Sequence, residues 1–90
     1  MKYFDWDEEK NKRLKDERGV GFEDITLAFA EDRVLDVLES PNKQKYPTQK
    51  MYAVNIGQYV YLCPFVEEDE KIFLKTIFPS RKATKKYLKI

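Results

Sequence analysis

Arg81, Lys82, Lys85, Lys86 and Lys89 stand close together, and no acidic residue interrupts them. Ser80, just before this run, is a natural helix N-cap, which puts Arg81 and Lys82 in a helix's first turn. Cations there oppose the macrodipole at about 0.3–1 kcal/mol each, so a helix built for stability alone would carry Asp or Glu. The same place, with free backbone N–H groups, suits a phosphate. An arginine adds a planar, permanently charged fork that grips phosphate oxygens in pairs. The competing reading is a solvated helix that serves solubility.

Much chemistry is excluded by what the chain lacks. It has no histidine, hence no usual general base and no Ser-His or Cys-His nucleophile. Its single cysteine, Cys63, forms no intrachain disulfide or cysteine zinc site and reads as a small buried hydrophobe. Gly19, Gly21 and Gly57 match no phosphate-loop fingerprint. The acidic run Glu67-Glu68-Asp69-Glu70 lacks the spacing and glycine of a calcium loop and reads as a solvated turn. No cofactor and no metal are expected. RNA transesterification needs neither, because the ribose 2′-hydroxyl attacks its own phosphate. The protein must position the strand, neutralise the charge growing on phosphate oxygens and help protons move. Lys82, Lys85 and Lys86 could lower one another's pKa enough for a lysine or tyrosine to shift protons. Tyr59 and Tyr61 alternate to one face of a strand, with Tyr52 on the facing strand and Phe4 and Trp6 near the start. Exposed, such rings stack bases; buried, they are core, and the sequence leaves both open.

Ninety residues make one domain, 1–90, near the lower limit for independent folding. Apolar residues at 42% supply a core and charged residues at 37% a wet surface. No apolar run approaches the roughly 20 residues that span a bilayer. The opening Met-Lys-Tyr-Phe-Asp-Trp-Asp lacks a signal peptide's apolar stretch, so a cytoplasmic protein without membrane contact is expected. Net charge is +1, but residues 1–39 hold seven Lys/Arg against twelve Asp/Glu, and residues 40–90 ten against four. A polyanion meeting one end of the molecule would explain that asymmetry.

The elements that must position these residues follow from spacing. Tyr3–Trp6 reads as a short strand, and Asp7 caps a surface helix to about Arg18, with Glu8–Lys12 and Glu9–Arg13 at i,i+4. Gly19 stops it. Phe22–Asp32 is a second helix, with Phe22, Ile25 and Phe29 on one face. Val34–Leu38 is predicted as a strand and Ser40–Gln49, with Pro41 and Pro47, as a loop. Lys50–Ile56, a Gly57-Gln58 turn and Tyr59–Val66 form a hairpin, with a bulge or exposed edge near Pro64. Lys71–Phe78, apolar on both faces, is predicted as one central strand ended by Pro79, and Arg81–Lys89 as a short helix. The fold class is α+β: an antiparallel sheet of about four to five strands, two N-terminal helices and a short C-terminal helix, the helices on one face.

Three segments resemble the BrnT family of toxins. They are Phe4-Asp5-Trp6-Asp7-Glu8-Glu9-Lys10-Asn11, Arg18-Gly19-Val20-Gly21-Phe22-Glu23-Asp24 and Pro79-Ser80-Arg81-Lys82-Ala83-Thr84-Lys85-Lys86-Tyr87. Each is short, but the order is kept across nearly the whole chain. The resemblance implies a small RelE-like fold, a ribonuclease that halts translation, and neutralisation by a ribbon-helix-helix antitoxin. It further implies a heterotetramer that reaches operator DNA through the antitoxin. Trp6 matches the family's N-terminal tryptophan and Arg81 its terminal-signature arginine, with Lys82 and Thr84 in register. Two positions depart: Arg18 stands where a histidine is usual, and Gln58-Tyr59-Val60-Tyr61 lacks a common strand arginine.

The sequence thus predicts a metal-independent endoribonuclease. Arg81 stabilises the phosphate, Lys82 and Tyr61 assist catalysis, and Trp6, Tyr59, Lys85 and Lys86 hold RNA. The alternative is a non-catalytic RelE-fold binding protein, either a toxin with a protein target such as gyrase or a co-repressor subunit.

Overall fold

A computed structural model describes residues 2–39, 44–45 and 49–89 of the chain. The elements run β1 (Tyr3–Asp5), α1 (Glu8–Arg18), α2 (Phe22–Ala30), β2 (Val34–Glu39), β3 (Gln49–Ile56), β4 (Tyr59–Glu67), β5 (Lys71–Leu74), β6 (Phe78–Pro79) and α3 (Arg81–Leu88). This is the α+β arrangement expected. Most of the loop predicted over Ser40–Gln49 lies outside the described residues, and Gln49 already belongs to β3.

Local chemistry explains the helical half. The Asp7 side chain accepts the Glu9 N–H at 2.9 Å and starts α1. Gly19 ends it at φ +71°, a left-handed conformation in which a Cβ crowds the backbone. The buried Asn11 then ties the two helices together. Its Oδ1 accepts the Phe22 N–H at 2.7 Å, and its Nδ2 donates to the Glu23 carboxylate at 3.0 Å. Lys15 reaches the same carboxylate at 3.0 Å, so the Glu23 carboxyl is held below its ordinary pKa, first by Asn11 and then by Lys15. Asp24 accepts the Gly21 N–H at 2.8 Å and opens α2. The first two of the three family-like segments are, in this sense, the parts of a helical hairpin.

The sheet runs β1-β5-β4-β3-β2, with β6 also on β4. β2 through β5 form the expected antiparallel meander, and β3 meets β4 across Gly57 and Gln58, both at positive φ as a two-residue hairpin turn requires. β1 pairs with β5 in parallel, Phe4 beside Ile72, so the sheet is mixed.

Two expectations are corrected. Lys71–Phe78 is not one strand. Leu74 pairs with Phe65 and Phe78 with Leu62, four steps against three, so one extra residue is accommodated in Lys75–Ile77. Pro64 lies opposite and has no N–H to offer, although its carbonyl takes the Lys75 N–H at 2.8 Å. The irregularity expected near Pro64 thus falls on the strand facing it. Pro79, expected to end the strand, sits in β6 opposite Tyr61, where no donor is missed. Nor do all helices share a face. Leu14, Val20, Phe22, Ile25 and Ala28 pack against Tyr52, Val54, Cys63 and Phe65 on one side. Ala83, with Tyr87 and Leu88, packs against Met51, Ala53, Val60 and Leu62 on the other. Among the described residues α3 is thus the one helix on the second face. α3 itself buries Ala83 and Thr84 and only partly covers Tyr87 and Leu88, so apolar burial alone seats this eight-residue helix modestly.

Candidate nucleic-acid interface

α3 is fastened through its middle. The Ser80 hydroxyl accepts the Ala83 N–H at 3.1 Å and caps the helix, as expected. Thr84, only 2% exposed, donates from Oγ1 to the Ser80 carbonyl at 2.7 Å and accepts the Val60 N–H at 2.9 Å. Ser80 N–H returns to the Val60 carbonyl at 3.0 Å. Near its far end Tyr87 donates to the Asp36 carboxylate at 2.7 Å, across to β2.

This seating divides the cations between two flanks. Arg81 and Lys85, one turn apart, line a shallow pocket of about 370 Å³ with Tyr59 and Thr84. Lys82 and Lys86 line a different groove of about 470 Å³, whose floor is Leu38, Met51, Leu62 and Ala83 and whose rim includes Glu39 and Tyr87. All four cations are exposed, and α3 carries no acidic residue. Lys86 Nζ lies 5.3 Å from the Tyr87 ring centre, a cation–π distance.

The aromatic candidates separate. Tyr59 is half-buried at the mouth of the Arg81 pocket, edge-on to Tyr61 with ring centres 5.9 Å apart. Tyr61 packs against the core beneath α1 and α2 and does not line the Arg81 pocket. Trp6 stacks on Phe22 at 5.6 Å, and its indole N–H donates to Glu8 at 2.8 Å, so it belongs to the start of α1 and is not gathered with α3. Phe4 meets Phe29 at 4.9 Å. Tyr52 is core: its ring lies 3.9 Å from that of Phe65, and burial, then Glu67 and Cys63, push its pKa up to about 12.

The structure therefore brings together Arg81, Lys85 and Tyr59, and leaves Lys82, Lys86, Tyr61 and Trp6 elsewhere. Reading the sequence noted Thr84 only as part of a signature and missed the bond between Tyr87 and Asp36. An amphipathic pattern could have flagged Ala83 and Thr84 as the seated side of α3, since Arg81, Lys82, Lys85 and Lys86 surround them.

Among the described residues no three His, Cys, Asp or Glu side chains are grouped to hold a metal ion, and no helix is long and apolar enough to cross a membrane. Comparison with protein-family models, curated proteins and solved structures finds no match.

Proposed function

We propose that this chain is the toxin of a type II toxin–antitoxin pair, a BrnT-like, metal-independent endoribonuclease of the bacterial cytoplasm that inhibits translation. The observation that carries the reading is the pocket shared by Arg81, Lys85 and Tyr59 on an acid-free helix. In this reading a base stacks on Tyr59 while Arg81 and Lys85 hold the phosphate beside it. The 2′-oxygen forms a bond to phosphorus as the bond to the 5′-oxygen breaks, leaving a 2′,3′-cyclic phosphate and a 5′-hydroxyl. The proton lost by the 2′-hydroxyl is balanced by one delivered to the leaving oxygen. Arg81 stabilises the extra charge on the equatorial oxygens, a role for which its fixed fork is suited. The Tyr59 hydroxyl, in the same pocket, is better situated for proton transfer than Tyr61. Lys82 and Lys86, on the other flank, draw the strand in by charge. The partner in this reading is a ribbon-helix-helix antitoxin, in a heterotetramer that reaches operator DNA through the antitoxin.

The test is purified wild type and Arg81→Ala incubated with RNA in the presence of EDTA, with folding checked by circular dichroism. Wild type is expected to cleave and the folded variant to lose at least about a hundredfold, the usual scale for one transition-state donor. Equal cleavage by both would remove Arg81 from the site. Intact RNA alongside growth arrest would instead assign a non-catalytic toxin with a protein target.

A further inference from the structure

The groove beside Lys82 and Lys86 differs in kind from the Arg81 pocket. Its floor is aliphatic: Leu38, Met51, Leu62 and Ala83, drawn from β2, β3, β4 and α3. Met51 and Leu62 are 9% exposed and Ala83 7%, so the floor is recessed below the rim. Lys82 and Lys86 stand one turn apart along the α3 side of the rim. Among the described residues neither of them is held by a salt bridge.

These features narrow the choice of occupant. A recessed aliphatic floor suits side chains that reach down into it, and the flexible thioether of Met51 adapts to their shape. Nucleotide bases laid there would lose water from their polar edges without gaining hydrogen bonds. Tyr87 offers no open ring face for stacking, since Lys86 lies 5.3 Å from its centre and its hydroxyl is bound to Asp36. Leu62, Met51 and Leu38 follow one another across three adjacent strands, roughly 10 Å from first to last at about 4.8 Å per strand. That span is close to two turns of an α-helix at about 5.4 Å each. A helix laid along α3 would also set carboxylates one turn apart against Lys82 and Lys86.

We propose that this groove docks an acidic amphipathic helix of a protein partner. Leucine-like side chains at i and i+4 fill the floor, while carboxylates beside them meet Lys82 and Lys86. Among the described residues the β2 end of the rim carries Glu39 and no cation, so the carboxylates belong on the α3 side. Arg81 and Lys85 lie on the other flank, and the docked helix leaves their pocket open. In the nuclease reading it would compete with RNA for the two lysines that draw the strand in. The docking itself goes beyond that reading and stands without it.

Fluorescence polarisation with two labelled synthetic peptides tests this on the intact chain. The first probe has about fifteen residues, with leucines one helical turn apart and glutamates beside them. The second has glutamine at every leucine position. Wild type is expected to bind the first saturably and the second at least about tenfold more weakly. Lys82→Glu combined with Lys86→Glu should cost the first probe at least about tenfold in affinity. Arg81→Glu combined with Lys85→Glu makes the same change of charge on the other flank, and should stay within about threefold of wild type at physiological salt. Circular dichroism checks that both variants are folded. Equal binding of the two probes overturns the proposal, and that comparison needs no variant to fold. Equal losses in the two double variants overturn it too, as does a lack of saturation up to millimolar wild type. A single-stranded RNA that binds through Lys82 and Lys86 where the first probe does not would assign these cations to nucleic acid and overturn it as well. RNA cleavage enters none of these readouts, so the nuclease reading stands or falls separately.

Discussion

The hydroxyl of Thr84 accepts the Val60 N–H at 2.9 Å, so one buried side chain of α3 closes a backbone position of β4. Thr84→Val keeps the shape but orphans that N–H, and should cost about 1–3 kcal/mol. Thr84→Ser should recover most of it. Urea unfolding of both variants checks this, and Arg81→Ala, which removes an exposed cation from the first turn of α3, should be at least as stable as wild type.

Binding of a short single-stranded RNA should report the two flanks of α3 separately. For each phosphate that no longer meets a cation, the slope of log affinity against log salt should fall by about 0.7. Tyr59→Ala should weaken binding by about 1–3 kcal/mol per stacked base while leaving that slope alone. Fluorescence polarisation over a salt series measures both; a Tyr59 variant that changes only the slope would refute stacking.

The bond from Tyr87 to Asp36 should shape the pH profile at both ends. Tyr87 holds the Asp36 carboxyl below its ordinary value, with the Val37 N–H adding to it. That contribution is present above the unfolded Asp pKa and is lost as pH falls through the lowered folded value. Asp36 in turn raises the Tyr87 phenol, whose contribution is complete below the unfolded Tyr pKa and is lost as pH rises through the folded value. Tyr87→Phe should move the Asp36 titration, followed by carboxyl NMR, back toward ordinary. An unchanged midpoint would show that the bond does not form in solution.

Gly19 and Gly21 should fail for different reasons when replaced by alanine. A Cβ at Gly19 meets nothing within 4 Å, and its cost is the positive φ alone, about 1 kcal/mol. A Cβ at Gly21 comes within 2.8 Å of Asn11 Oδ1, an atom already committed to the Phe22 N–H. Gly21→Ala should therefore lose more, on the order of 2–3 kcal/mol, in thermal unfolding. Equal losses would mean that the hairpin between α1 and α2 yields easily there.

Cys63 is fully buried, and burial pushes its thiol pKa up, far from the thiolate that reacts. A disulfide-exchange reagent should label it only once denaturant unfolds the chain. Fast labelling of the native protein would indicate local opening of β4.

Local patterns made much of this fold readable. Asp7, Gly19 and the i,i+4 pairs mark α1, and the Gly57-Gln58 turn marks the hairpin of β3 and β4, because caps and turns act over a few residues. Three things were not readable. The parallel partner of β1 lies far along the chain, Tyr3 beside Lys71, and has no local signal. The break at Lys75–Ile77 arises from Pro64 on the facing strand. The face taken by α3 depends on Thr84 finding Val60. For the same reason the basic cluster was visible in the sequence while its division into two flanks was not.

The parallel pairing of β1 with β5 also constrains when the molecule can exist. Tyr3–Asp5 has no strand to join until Lys71–Phe73 has been made, and α3 cannot seat before the strands beneath it are in order. During synthesis α1 and α2 leave the ribosome long before Lys71–Phe73 and α3 do. Until then the helical hairpin lacks Leu74 and Ile77, the last buried members of the core it packs into. A chain truncated before Lys71 should accordingly lack a cooperative unfolding transition by circular dichroism. The strand made first, Tyr3–Asp5, is therefore among the last to find its place in the sheet.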